Sequence, residues 1–135
     1  MGVKATLLIL AMALGQSVLA ADKKPIADPI VEKVIRVMIN KPEGELTESD
    51  LEKVGALYFD DTKITDAGLK EVAKMEKLTN LSLYGCKQLT DAGLEEVAKV
   101  EQLTYLDLYE TQVTEAGVTQ LSKTLPKCTI HSHAK

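Results

Sequence analysis

"LTNLSLYGCKQLTDAGLEEVAKV" (Leu78–Val100) is preceded by "VGALYFDDTKITDAGLKEVAKM" (Val54–Met75) and followed by "LTYLDLYETQVTEAGVTQLSK" (Leu103–Lys123). The three stretches are imperfect copies with a period of 24 to 25 residues, so that Leu57, Leu81 and Leu106 match, as do Asp66, Asp91 and Glu115. A period of this size marks a stacked-repeat architecture and takes precedence over any local reading.

Within each copy apolar residues stand at relative positions one, four and six: Val54, Leu57 and Phe59, then Leu78, Leu81 and Leu83, then Leu103, Leu106 and Leu108. Positions four and six share one side of an extended strand, because side chains alternate. Position nine holds Thr62, Cys86 or Thr111, each small and able to hydrogen-bond. Where the chain turns inward, such a column can satisfy backbone groups that have lost their strand partners. Next come Ile64, Leu89 and Val113, then "TDAGL" ("TEAGV" in the third copy). Thr65, Thr90 and Thr114 suit helix N-caps, and the acid after each suits the positive end of the helix dipole. Leu69, Val72 and Ala73 fall on one helical face, and Leu94, Val97 and Ala98 repeat it. Gly68, Gly93 and Gly117 lack a Cβ and are expected to let neighbouring helices approach closely. Each copy reads as strand, turn, helix.

These residues resemble the cysteine-containing subtype of leucine-rich repeat, whose pattern runs LxxLxLxxCxxITDxGLxxL. "LTNLSLYGCKQLTDAGLEEV" carries the likeness most fully, and it extends over about residues 53–131. Only Cys86 stands at the cysteine position, and the family's second cysteine is absent, with Met75 and Val100 near that point. The resemblance implies an α/β fold: a leucine-rich repeat solenoid with a short parallel concave sheet, helices on the convex side and an N-terminal helical cap.

The front segment "ADPIVEKVIRVMINKPEGELTESDLEKV" resembles the helical cap of exported bacterial leucine-rich repeat proteins. Ile30, Val34 and Val37, flanked by Val31, Ile35 and Met38, form an apolar stripe on a helix that Asn40 and Pro42 end. Thr47 and Asp50 then open a short second helix in the pattern of a capping box. At the back, "LPKCTIHSH" reads as a closing strand with Cys128 and Ile130 pointing inward. The expected organisation is a signal peptide over 1–20, a helical cap over 21–52, three repeats plus the closing strand over 53–131, and a tail over 132–135.

The leader rests on Lys4, the apolar run "ATLLILAMALG" and the small residues of "SVLAAD", which place cleavage before Ala21. A buried helix or a membrane anchor is the competing reading, but the run is short for a bilayer. No cysteine follows it to take a lipid. The chain is therefore expected to be exported, periplasmic or secreted, with no integral membrane segment after cleavage. At 135 residues it has room for one domain, and with no Trp and one Phe its core must be built from Leu, Val, Ile and Ala. Without residues 1–20 it carries 15 basic and 20 acidic residues, a net charge near −5. That charge gives no attraction for nucleic acid or an anionic membrane, and suits a cationic or neutral partner.

Positions three, five and seven of each copy point outward from the sheet. All four tyrosines fall there: Tyr58, Tyr84, Tyr105 and Tyr109. Asp60 and Asp107 share the face, Asp61 and Glu110 edge it, Asn80 and Ser82 lie between, and none of these positions holds Lys or Arg. The candidate partner-binding set is Tyr58, Asp60, Tyr84, Tyr105, Asp107, Tyr109 and Glu110, facing a protein or peptide, with a basic one best matched. Alternatively, tyrosine merely favours strands and the acids keep the sheet soluble.

Cys86 and Cys128 are separated by two rungs, about 10 Å against a Cα limit of about 7 Å, so they are expected as buried free thiols. His131 and His133 lack a third ligand, which argues for a frayed tail over a metal site. No nucleophile–base pattern, phosphate loop or metal motif is present, so no catalytic residue and no cofactor is assigned. The expected function is an exported non-catalytic protein-interaction module. Its rivals are an F-box-like intracellular substrate adaptor of a ubiquitin ligase and a purely structural envelope protein. The leader opposes the adaptor reading, and residues 21–50 are too short for an F-box. The oligomeric state is not encoded in any feature of the sequence.

Overall fold

The computed structural model describes residues 25–133. The leader read over residues 1–20 lies outside them. In chain order the elements are α1 (Pro29–Ile39), α2 (Glu48–Leu51), β1 (Ala56–Tyr58), α3 (Asp66–Val72), β2 (Asn80–Ser82), α4 (Asp91–Val97), β3 (Tyr105–Asp107), α5 (Glu115–Thr124) and β4 (Thr129–His131). The four short strands form one parallel sheet in sequence order, β1-β2-β3-β4. Its register puts Leu57 beside Leu81, Leu81 beside Leu106, and Leu106 beside Ile130.

That register turns the apolar positions into continuous columns. Leu57, Phe59, Leu81, Leu83, Leu106 and Leu108 are buried, as are Val54, Leu78 and Leu103 at the entry to each strand. Leu69, Val72, Leu94 and Val97 cover them from the helices, with Ala73 and Ala98 half-buried. Phe59 is the one aromatic ring in this aliphatic core. Cys128 and Ile130 pack against its far end, half-buried.

The front of the core is covered by α1. Asp28 caps it, its Oδ1 accepting from the Ile30 and Val31 amides at 2.9 and 3.1 Å, and Asn40 ends it in the left-handed region at φ 55°. Val31 and Ile35 are buried, and Ile30 and Val34 half-buried. The expected stripe is too broad: Val37 is 71% and Met38 40% exposed. At about 100° per residue Val37 lies nearly opposite the buried Ile35, two residues before it. The capping box of α2 is present as expected, with Thr47 and Asp50 each bonded to the other's backbone N–H. Lys41 Nζ donates to Asp50 Oδ2 at 2.6 Å and, with the Thr47 amide, holds this carboxyl well below the usual carboxylate range. Residues 25–27 are fastened to α3: the Ala27 amide donates to Glu71 Oε1 at 2.7 Å, and Lys74 Nζ to the Pro25 carbonyl at 2.9 Å. Burial pushes Glu71 up, but the hydrogen bonds from Lys74 and Ala27 outweigh it and lower its pKa.

Two columns govern how the units stack. After each strand the chain passes through a left-handed residue at an equivalent position: Asp61 (φ 58°), Gly85 (φ 73°) and Glu110 (φ 61°). This conformation is unfavourable for residues with a Cβ. At Gly85 the Asp61 carboxylate also occupies the space that a Cβ would need. One residue on, the small polar column does what its composition predicts. Cys86 Sγ reaches the Phe59 carbonyl at 3.1 Å and lies 3.7 Å from Thr62 Oγ1, while Thr111 Oγ1 donates to the Leu108 carbonyl at 2.8 Å. Burial pushes the Cys86 thiol pKa up, and both cysteines are free.

The second column joins the helix starts. Thr65, Thr90 and Thr114 are N-caps as expected. The acids after Thr65 and Thr90, however, do more than face their own helix dipoles. Asp66 accepts from the Thr90 amide at 2.9 Å and from Thr90 Oγ1 at 2.5 Å; Asp91 accepts from the Thr114 amide at 2.8 Å and from Thr114 Oγ1 at 2.5 Å. Each carboxylate thus reaches across to the next unit. The recurring glycine lets neighbouring helices approach closely, as expected: a Cβ on Gly93 would stand 2.5 Å from Asp66 Oδ1 and 2.8 Å from Leu69 Cδ1 of α3. The room is taken by side chains of the preceding unit.

The Cys86 site predicts opposite responses to two substitutions. Cys86→Thr makes the column uniform and keeps the wild-type melting temperature, whereas Cys86→Leu overpacks the turn and costs about 1–3 kcal/mol. Equal damage from both, in thermal melts under reducing conditions, contradicts the assignment of this position to backbone satisfaction.

Candidate functional site

Because Leu57, Leu81, Leu106 and their partners two residues on point into the core, the residues between them point out. The alternation places Tyr58, Asp60, Tyr84, Tyr105, Asp107 and Tyr109 on one side of the sheet, with Glu110 at its edge. Exposure along this side is uneven. Tyr58, Tyr84 and Tyr109 are 51%, 41% and 38% exposed, whereas Tyr105 and Asp107 are half-buried. Asp60 and Glu110 are exposed. Ser82, read as part of the open face, is buried, and its hydroxyl donates to Asp60 Oδ1 at 2.5 Å.

The far end of the face is finished by two residues whose sequence context suggests a frayed tail. His131 lies in β4, its ring centroid 5.0 Å from that of Tyr105 at an interplanar angle of 41°. His133 stacks on Tyr109 at 5.2 Å and 16°. These ring contacts correct the earlier expectation: the imidazoles continue the outward row of Thr129 and cover the neighbouring phenols. The alternate spacing of His131 and His133 was the signal in the sequence, since two residues apart on a strand means one shared side.

Charge at this end is largely paired. Lys87 Nζ lies 2.9 Å from Glu110 Oε2, and His133 Nε2 3.7 Å from Glu110 Oε1. The Lys87 hydrogen bond, and then its charge, lower the Glu110 pKa, with a smaller contribution from His133. Asp107 Oδ1 accepts from the Tyr109 amide at 2.9 Å. Lys87 escaped the sequence reading because it sits in the turn after Cys86, off the alternating positions. Toward the front of the face the balance differs: among the described residues no lysine, arginine or histidine forms an ion pair with Asp60 or Asp61.

The arrangement offers phenol rings and hydroxyls, carboxylate acceptors and two imidazoles on a short, rigid sheet. Among the described residues no group of three or more His, Cys, Asp or Glu could hold a metal ion, and no helix is long and apolar enough to cross a membrane. A separate cleft of about 630 Å³ lies along the outer side of α1, lined by Pro29, Glu32, Lys33, Arg36, Val37, Asn40 and Pro42. Val37, expected in the core from the apolar stripe, instead lines this cleft.

The Glu110 pair makes a direct prediction. Replacing Lys87 with Met removes the dominant cause of the lowered pKa, so the Glu110 titration moves to higher pH. Carbon-13 NMR of the side-chain carboxyl reads the shift, and an unchanged midpoint contradicts the pairing.

A scan against protein-family models gives no match, and a search of the curated proteins gives none either. Among solved structures the chain is similar to an internalin from Listeria monocytogenes, with a TM-score of 0.47 and 16% identity. The similarity covers 80% of this chain and 44% of that one, so the chain spans less than half of the internalin's length.

Proposed function

We propose that the protein is an exported, non-catalytic interaction module: a leucine-rich repeat solenoid, capped by its leading helices, that holds a partner protein or peptide against its Tyr/Asp-rich sheet face. In this reading the partner contacts Tyr58, Asp60, Tyr84, Tyr105, Asp107, Tyr109 and Glu110, and no bond is made or broken. The supporting observation is the exposure of Tyr58, Tyr84 and Tyr109 beside carboxylates on one side of the sheet. Large exposed aromatics are costly to leave in water and supply contact area at low conformational entropy, which is why they dominate interfaces. The face spans only four strands of three residues, so the partner is expected to be a peptide or a small epitope rather than a broad surface.

The test uses the full chain with a C-terminal tag, expressed in its native host and crosslinked to its neighbours before recovery. A partner specific to the wild type is then measured against a variant carrying both Tyr84→Ala and Tyr109→Ala. Binding is expected to fall about tenfold or more, as for paired interface anchors. Undiminished capture by a variant whose circular dichroism and melting temperature are unchanged refutes the assignment of the face.

A further inference from the structure

The outward face is electrostatically divided, and the division names the chemistry of its partner. This inference rests on the interaction reading above. On the β3–β4 side the aromatic and charged groups are already engaged with one another: Tyr105 with His131, Tyr109 with His133, Glu110 with Lys87 and His133, and Asp107 with the Tyr109 amide. On the β1–β2 side the corresponding groups are open. Tyr58 and Tyr84 are the two most exposed tyrosines. Asp60 spends one oxygen on Ser82, and among the described residues the Asp61 carboxylate meets no hydrogen-bond donor or cation.

Backbone geometry brings these open groups together. The Asp61 amide donates to the Tyr84 carbonyl at 2.7 Å, so the two residues sit side by side in the turns that follow β1 and β2. The left-handed conformation of Asp61 lays its carboxylate over Gly85, the residue after Tyr84. Asp60 reaches Ser82, which is paired with Tyr58 in the strand register. Two exposed phenol rings therefore flank two unneutralised carboxylates.

We infer that the β1–β2 half of the face is an anchor for an arginine of an extended, basic partner segment, its guanidinium stacking on Tyr58 or Tyr84 and paired with Asp60 and Asp61. A guanidinium is planar, weakly hydrated and able to donate a fork of hydrogen bonds to carboxylates while lying flat on a ring. A lysine ammonium brings the same charge as a compact, strongly hydrated point and cannot do both. The β3–β4 half adds contact area beside this anchor.

The inference is tested with three capped Gly/Ser peptides that carry paired arginines, paired lysines or paired glutamates, titrated into the nitrogen-15-labelled protein recovered from cells expressing the full chain. The arginine peptide is expected to bind about fivefold more tightly than the lysine peptide, with no binding of the glutamate peptide. Amide shifts should centre on Tyr58–Thr62 and Tyr84–Cys86. Asp61→Asn, which retains a residue tolerant of the left-handed region, should weaken the arginine peptide about threefold or more. Glu95→Gln, the same charge change on the exposed side of α4, should leave its affinity within about twofold. Equal binding of the arginine and lysine peptides, shifts centred on Tyr105–His133, preference for the glutamate peptide, or no binding at all each overturn the arginine anchor. None of these results touches the Tyr84/Tyr109 dependence of native capture, so the two readings fail separately.

Discussion

A carboxylate that reaches from one helix start to the next holds this molecule in register. Asp66 and Asp91 each accept two hydrogen bonds from the following threonine, one from its amide and one from its hydroxyl. The same hydroxyl accepts from a backbone N–H of its own helix, Ala92 for Thr90 and Gly117 for Thr114. Each threonine therefore ends one interaction and begins the next, coupling the capping of a helix to the position of the unit before it. Hydrogen bonds to a charged acceptor are stronger than neutral ones and more demanding in direction. A unit displaced by one residue would lose both and bring a residue with a Cβ, in place of Gly93 or Gly117, against Asp66 or Asp91.

Fixed spacing between helices fixes the sheet. With the helix starts aligned, Leu57, Leu81, Leu106 and Ile130 lie in one row, and the residues between them open in one direction. The left-handed column at Asp61, Gly85 and Glu110 turns the chain back toward the core after each strand. It also sets carboxylates at the edge of the tyrosine rows. What the face presents is thus decided at the opposite side of the molecule, where neighbouring helices meet.

Much of this was legible in the sequence because the pattern repeats. The burial of Val54, Leu57 and Phe59 and their counterparts, the threonine caps and the bonding column at Thr62, Cys86 and Thr111 all follow from local chemistry read three times. The features that escaped are those that local chemistry does not decide. Asp66 suits the dipole of its own helix equally well whether or not it reaches Thr90. Ser82 sits at an outward position, yet Asp60 and its neighbours bury it. Val37 belongs to an apolar stripe whose inner side only the packing of α1 could identify. His131 and His133, without a repeat copy to compare, looked like a polar end, and only β4 pairing with β3 brings them onto Tyr105 and Tyr109.

The central claim, that this carboxylate ladder sets the stacking of the units, is tested most directly by a double-mutant cycle on Asp91 and Thr114. Asp91→Ala, Thr114→Ala and the double variant are unfolded in denaturant beside the wild type, so that the cap lost with Thr114 alone cancels from the coupling. The account predicts a coupling free energy of about 1–2 kcal/mol, the range for directly bonded groups with one charged partner. A coupling below about 0.3 kcal/mol, within the additivity of independent sites, would show that the two residues merely lie close and that register is set elsewhere.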